Sequence, residues 1–332
     1  MRTHGRTRVL IGALLALAFA MVIPTTAMAG HDLGIYKVEK HIDLDSDDFE
    51  VTLSCYPGDY AMDGMWRIDH ADYDEDDDYI TFLGRSVDVE MAYPLDTAID
   101  PDSRLESYYF KFNKNAIGRA QLKVFATCLK SKTEVDGHQH DIVLDTPQTQ
   151  TLDADGSFTS PTCGPNKFVS QPGYKINRFS ADPVPFVGHM STSWPLNIGQ
   201  WRWVIDISQD PGTTVDFYWT CTQRKVPLAG GEKHKLVYRL QGPENHSIPA
   251  KKVKTKRIEC KSHYKAIVAG FSFIPGSMAE PNTDDFPGLF VPHLWFLGMD
   301  PQPKNRDFKF LNSDVAPHPV DLKAICLNYR TT

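Results

Sequence analysis

The stretch Val215-Asp216-Phe217-Tyr218-Trp219-Thr220-Cys221 alternates along the chain, with Val215, Phe217, Trp219 and the cysteine in one phase. A period of two is the mark of a β-strand, and an apolar phase that includes a thiol turns that thiol toward a core. The phase recurs at Leu122, Val124, Ala126 and Cys128, and again at Val320, Leu322, Ala324 and Cys326. Three such strands, their cysteines 93 and 105 residues apart, signal an internal repeat with a period near 100.

The other three cysteines lead the copies. Cys55, Cys163 and Cys260 are spaced by 108 and 97 residues, and eleven positions after each stands an aromatic residue: Trp66, Tyr174 and Phe271. Eighteen positions before each trailing cysteine stands another, Phe110, Trp203 and Phe308, and Phe110-Lys111-Phe112 matches Phe308-Lys309-Phe310 without a gap. A histidine precedes each leading cysteine by 24, 23 and 26 residues (His31, His140 and His234), a recurrence that reads as part of the fold. Equivalent pairing within each copy then predicts three disulfides, Cys55 to Cys128, Cys163 to Cys221 and Cys260 to Cys326. Closing loops of this length stabilises each copy by about 4 kcal/mol through loss of unfolded-chain entropy.

The expected fold is all-β, with three tandem β-sandwich repeats at residues 30–130, 131–230 and 231–332. Short strands are punctuated by 23 prolines and 22 glycines. Gln209-Asp210-Pro211-Gly212 is a turn signal between the alternation Trp201, Trp203, Ile205, Ile207 and the strand ending at Cys221, which reads as a hairpin. A cysteine, a nearby aromatic and a second cysteine 58 to 73 residues later also resembles the core spacing of immunoglobulin-like sandwiches. Ala126, Trp219 and Ala324 stand where that family carries a tyrosine, so a jelly-roll-like topology remains equally open. At 41% hydrophobic and 11% aromatic residues, the chain has the means to build cores and needs no dense cysteine framework.

Arg2, Arg6 and Arg8, an apolar run from Val9 to Ile23 and Ala27-Met28-Ala29 have the layout of a secretory signal peptide over residues 1–29. The expected location is therefore exported, on the cell surface, outside the cell or in the periplasm, with paired cysteines. No later run has transmembrane length.

Charge is unevenly spread. The three repeats carry net charges of −12, −3 and +5. An acidic front and a basic rear suggest head-to-tail self-association. Within the acidic run, Asp72, Asp74 and Asp76 are spaced like the first ligands of a calcium loop, but Asp77 and Leu83 replace the glycine and glutamate of an EF-hand, leaving only a looser calcium site. The basic run Lys251, Lys252, Lys254, Lys256 and Arg257 suits an anionic polysaccharide or acidic partner, or else guards a sheet edge. Its phase conflicts with Cys260 and places the start of the strand near Ile258. Export and overall acidity argue against nucleic acid.

The chain carries no GxSxG, HExxH, CxxC or phosphate-cradling glycine loop. His138, His140 and Asp141 form the best metal candidate, since residues two apart on a strand share a side. Gly30-His31 becomes the terminus after cleavage and binds copper weakly at best. Trp201, Trp203 and Trp219 lie in phase with core positions, whereas Trp194 and Trp295, among proline-rich stretches, are the aromatics expected at the surface. Asn245-His246-Ser247 is a glycosylation sequon that matters only if the producing cell glycosylates. The function expected is that of an exported, non-enzymatic structural or adhesive surface protein. A polysaccharide- or ligand-binding protein is the alternative, and a metal-dependent or glycosidic enzyme stands third.

Overall fold

In the computed structural model residues 33–45, 48–71, 87–95, 105–114, 119–135, 138–153, 156–177, 188–207, 212–226, 234–273, 281–282, 289–290 and 294–331 are described. Every regular element among them is a β-strand. The expected signal peptide, His31 and Asp72, Asp74 and Asp76 lie outside the described residues.

Repeat 1 contributes β1 (Ile35–Leu44), β2 (Asp48–Ser54), β3 (Tyr60–Ala71), β4 (Val87–Leu95), β5 (Ser107–Lys114) and β6 (Ala120–Leu129). Repeat 2 begins with a ribbon, β7 (Lys132–Val135) and β8 (His138–Asp141). It continues with β9 (Gln148–Asp153), β10 (Gly156–Thr159), β11 (Lys167–Asn177), β12 (Gly188–Asn197), β13 (Gln200–Ile207), β14 (Thr214–Gln223) and β15 (Lys225–Val226). Repeat 3 contributes β16 (His234–Ile248), β17 (Lys252–Glu259), β18 (Lys265–Phe273), β19 (Pro281–Asn282), β20 (Leu289–Phe290), β21 (Leu294–Pro301), β22 (Asn305–Asn312) and β23 (His318–Thr331). The alternation that marks these segments is also what buries them. In β5, Tyr108, Phe110 and Phe112 are fully buried while Tyr109 and Lys111 are partly open.

Three large sheets form, and each is shared by two repeats. Sheet I runs β1-β6-β3-β21-β22-β17, joining repeats 1 and 3. Sheet II runs β2-β5-β4-β11-β14-β9, joining repeats 1 and 2, and sheet III runs β10-β13-β12-β18-β23-β16-β15, joining repeats 2 and 3. Each repeat thus gives one three-stranded layer to one sheet and its second layer to another. The three repeats close on one another in a ring with an internal threefold pattern. The seams are antiparallel: Arg67 faces Gly298, Tyr174 faces Ala92, and Phe271 faces Ser193.

The three expected disulfides are present, with Cα separations of 5.7, 5.5 and 5.7 Å. Each leading cysteine donates its backbone N–H to the carbonyl just before the start of β5, β13 or β22, namely Glu106, Gly199 or Lys304. Cys128, Cys221 and Cys326 lie on β6, β14 and β23 in the other layer, so each disulfide clamps the two layers of its repeat.

The recurring aromatics meet where all three repeats converge. Trp66, Tyr174 and Phe271 line one cavity of about 20 Å³, together with Phe296 and Phe308, a space that holds no more than a water. Trp66 packs edge-on against Tyr174 at 6.4 Å and Phe296 at 5.6 Å.

Two polar clasps reinforce the seams. Gln171, at φ 53° and fully buried, donates from Nε2 to the carbonyl of Ala61 across the repeat 1–2 seam at 2.9 Å. Three positions of the same register, eight after each leading cysteine, are Asp63, Gln171 and Val268. Asp63 lies 4.0 Å from Nε of Arg306 of repeat 3, both side chains sealed from water. Arg306 also donates to the Gln302 carbonyl at 2.6 Å, the Ala266 carbonyl at 2.8 Å and Thr127 Oγ1 at 3.1 Å. Burial, outweighing the attraction of Arg306 and the Ala269 amide, lifts the Asp63 carboxyl to about 7.

Three expectations are corrected. The alternations ending at Ile207 and Cys221 do not pair as a hairpin, because β13 belongs to sheet III and β14 to sheet II. Their apolar sides confront one another across the core, where Trp203 and Phe217 lie 5.2 Å apart. The basic strand β17 begins at Lys252 and not near Ile258, since it pairs with β22 along its whole length. Only Ile258 of its inward phase reaches the core; Lys252 and Lys254 are exposed at the sheet edge. His234 opens β16, whereas His140 pairs with Thr133 inside the β7–β8 ribbon, so these two histidines hold no equivalent place.

Candidate functional site

His138 and His140 sit on β8, where only their backbone is described, and Asp141 is exposed. No group of three or more His, Cys, Asp or Glu gathers to hold a metal among the described residues. Of the basic run, Arg257 is engaged by Asp307 through two bonds of 2.6 and 2.7 Å, which leaves Lys252 and Lys254 as the exposed cations of the edge. Lys251 stands in the preceding turn at φ 51°, and Lys256 is half-buried near His246.

Trp201, Trp203 and Trp219 are core residues, at 0%, 1% and 6% exposure. Trp295 is not a surface residue: it is 6% exposed, because β21 sits mid-sheet and is covered on both faces. Trp194 is half-buried, with Nζ of Lys323 held 3.7 Å from its ring centre. Asn245 is bonded to Asp321 at 3.0 Å on the exposed side of β16.

The surface aromatics lie elsewhere, on the outer face of sheet II. The ladder places Thr52, Tyr109, Tyr93, Gly173, Tyr218 and Thr149 in one row across six strands. Gly173 is the key to this row. It has no side chain between β4 and β14, and a Cβ there would meet Tyr93 Cα at 2.7 Å. Across that gap Tyr93 and Tyr218 stack at 4.9 Å with ring planes 18° apart, and Tyr109 joins Tyr93 at 5.4 Å. The next row reads Glu50, Lys111, Met91, Lys175, Asp216 and Thr151. It mixes acceptors and donors: Lys111 pairs with Glu90 at 3.0 Å, and Asp216 accepts from Thr151 at 2.6 Å and Asn177 at 2.9 Å.

The phenols are fixed in their protonated, donating form. Burial raises Tyr109, aided by a bond to Glu50; burial with the charges of Glu50 and Asp216 raises Tyr93; burial and Asp216 push Tyr218 up to about 12.

Internal symmetry singles this row out. The seat three residues before each trailing cysteine is Phe125 in sheet I, Tyr218 in sheet II and Lys323 in sheet III. Opposite it, ten residues after each leading cysteine, stand Met65, Gly173 and Gly270. In sheet I the seat is closed: Phe125 is fully buried, Lys37 covers its ring at 5.1 Å, and Arg67 and Lys37 are tied to Asp300 at 2.8 and 3.2 Å. In sheet III Lys323 caps Trp194. In sheet II the seat is filled by aromatic rings that stay half-open.

Reading the chain by its inward phase passes over Tyr109 and Tyr218, which stand one residue out of phase with Phe110 and Trp219. That offset was the available signal, and the role of Gly173 was not visible without the ladder.

No protein-family model matches the chain, and no curated protein matches it either.

Proposed function

We propose that this chain is an exported, non-enzymatic surface protein, adhesive or structural, that makes its contacts through the outer face of sheet II. Three disulfides suit an oxidising compartment, and no helix of the described residues is long and apolar enough to cross a membrane. The observation that carries the reading is the tyrosine row, three rings held half-open at a seat that is closed in sheet I and capped by Lys323 in sheet III. Tyrosine supplies contact area at low entropic cost, as recognition surfaces use it.

Head-to-tail assembly is the second reading, resting on the acidic front and basic rear of the chain. The two repeats are also neighbours in sheet I, where Arg306 of repeat 3 lies 4.0 Å from Asp63 of repeat 1. The test is adhesion of the labelled, full mature protein to cells of its own source, with electron microscopy of the native protein in place. Attachment that fails in a folded Tyr93→Ser/Tyr218→Ser variant is expected. A protein found free in the medium, with no attachment to cells, overturns the proposal.

A further inference from the structure

β9 is an edge strand of sheet II, and among the described strands it pairs only with β14. All six of its residues are exposed. Its inward phase, Gln148, Gln150 and Leu152, stands opposite Trp219, Phe217 and Val215, which are buried. The strand therefore overhangs the core, open on both faces and along one edge. Repeat 1 gives the contrast. Ile42 of β1, facing the residue six before its trailing cysteine, is 5% exposed, whereas Leu152 at the same place in repeat 2 is 37% exposed. Gln150 donates from Nε2 to the Thr151 carbonyl at 3.0 Å and Gln148 to the Thr146 carbonyl at 3.1 Å, so side chains of the strand itself serve carbonyls along it.

A free edge is a template for another strand, and proteins blunt such edges with charge or brevity. The other edges of the three large sheets are blunted in these ways. β10 and β15 have four and two residues. β2 buries Val51 and Leu53 and carries Asp48 and Glu50. β1 has Glu39 and Lys40 at its middle, and β17 has Lys254, Lys256 and Arg257. From Gln148 to Leu152, β9 has no charge, no proline and no glycine.

Geometry then selects the occupant. In an antiparallel pair, facing residues either both direct their backbone groups at the partner strand or both direct them away. When the two strands are identical, facing residues must differ by an even number, and the twofold axis passes through one residue. For β9 that residue is Gln150 or Thr151, at the middle of the strand. About Gln150, Thr149 faces Thr151 of a second copy; about Thr151, Gln150 faces Leu152 and Thr149 faces Asp153 of a second copy. No like charges meet in either register, whereas like charges set directly opposite would oppose pairing. The same operation on β17 sets Lys254 against Lys256 or Lys256 against itself, and on β1 it sets Glu39 or Lys40 against itself. We infer that β9 pairs antiparallel with β9 of a second copy of this chain, joining two six-stranded sheets into one continuous sheet. Because facing residues share a parity, the outer faces align, and the tyrosine rows of both copies lie on one side of the joined sheet. The contact is isologous and closes at two copies, unlike a head-to-tail contact. It goes beyond the surface-contact reading and requires nothing of what the tyrosines touch. Six residues a side make a small interface, so the pair forms reversibly as concentration rises.

The test is analytical ultracentrifugation of the full mature, oxidised protein across a concentration series, beside the variant Gln150→Lys/Thr151→Lys. Whichever residue lies on the axis, this variant sets lysine against lysine. A monomer–dimer equilibrium in the wild type, weakened at least tenfold in the variant with unchanged thermal unfolding, is the expected result. Single cysteines give a second readout, since the six native cysteines are all paired. Oxidation of Gln150→Cys or Thr151→Cys should link two copies faster than oxidation of Lys254→Cys on β17. A dimer that the lysine pair leaves intact, growth past two copies, or equal cross-linking at both edges overturns the inference. A monomer at every concentration also overturns it and leaves the edge to a strand of a different protein. Should a strictly monomeric protein still attach to cells, the pairing falls while surface contact stands; should a dimer fail to attach, the reverse holds.

Discussion

Asp63→Asn probes the clasp that closes repeat 3 onto repeat 1. Asp63 is sealed from water 4.0 Å from Arg306, and burial raises its carboxyl from 3.8 to about 7. In the unfolded chain the proton leaves near pH 4, whereas in the folded protein it is held until about pH 7. Between these limits the folded state binds more protons than the unfolded one. Stability from this group is therefore fully present below about pH 4, falls as pH rises toward 7, and is then level. Three pH units at 1.36 kcal/mol each amount to about 4 kcal/mol. Asparagine cannot titrate. Its own cost is the exchange of a buried protonated carboxyl for an amide beside Arg306, which is nearly constant with pH. Guanidinium unfolding of both proteins, disulfides intact, from pH 4 to pH 8 gives the difference directly, since all other carboxyls cancel. The wild-type advantage should shrink by about 4 kcal/mol from pH 4 to pH 7. Parallel curves would refute the reasoning and mean that Asp63 is ionised throughout as the partner of Arg306.

Other perturbations follow from the seams and clamps. Removing one disulfide as Cys163→Ala/Cys221→Ala should cost about 4 kcal/mol while leaving strand circular dichroism in place; an unchanged unfolding midpoint would contradict closure of that loop. Gly270→Ala drives a Cβ into the Ser193 carbonyl and to 2.6 Å from Trp194 Cα, backbone atoms that cannot step aside. The β12–β18 seam should part at a cost of roughly 3 kcal/mol or more, visible in thermal melting, and wild-type stability in this variant would count against the seam. Arg257→Ala removes an exposed pair with Asp307 and should leave the melting curve unchanged; a large loss would show that the edge strand depends on it.

The sequence carried the disulfides and the strand faces because both obey local rules. Cys128, Cys221 and Cys326 share the phase of their buried neighbours, and a period of two settles which side a residue occupies. It does not settle which strand lies alongside. Trp201, Trp203 and Trp219 were legible as core, but the sheets that carry them were not, because the inward face of β13 meets that of β14 across the interior. The same limit hid the charge arrangement. A net −12 and +5 at opposite ends of a linear chain become neighbours once β3 pairs with β21. Trp295 misled through its proline-rich surroundings, although Leu294, Trp295 and Leu297 are all buried as befits a strand covered on both faces. Within the candidate site, Tyr93 and Tyr218 belong to different repeats and nothing local to either shows that they stack, since they meet only across Gly173.

The tyrosine row straddles the seam between repeats 1 and 2, so it exists only if the repeats share their sheets. Differential scanning calorimetry of the intact, oxidised protein tests this most directly. Interlocked repeats predict a single transition whose calorimetric and van't Hoff enthalpies agree, at about 200 kcal/mol for some 300 residues near 60 °C. Three separable transitions, each near a third of that enthalpy, would show that the repeats fold as independent domains and would contradict the account.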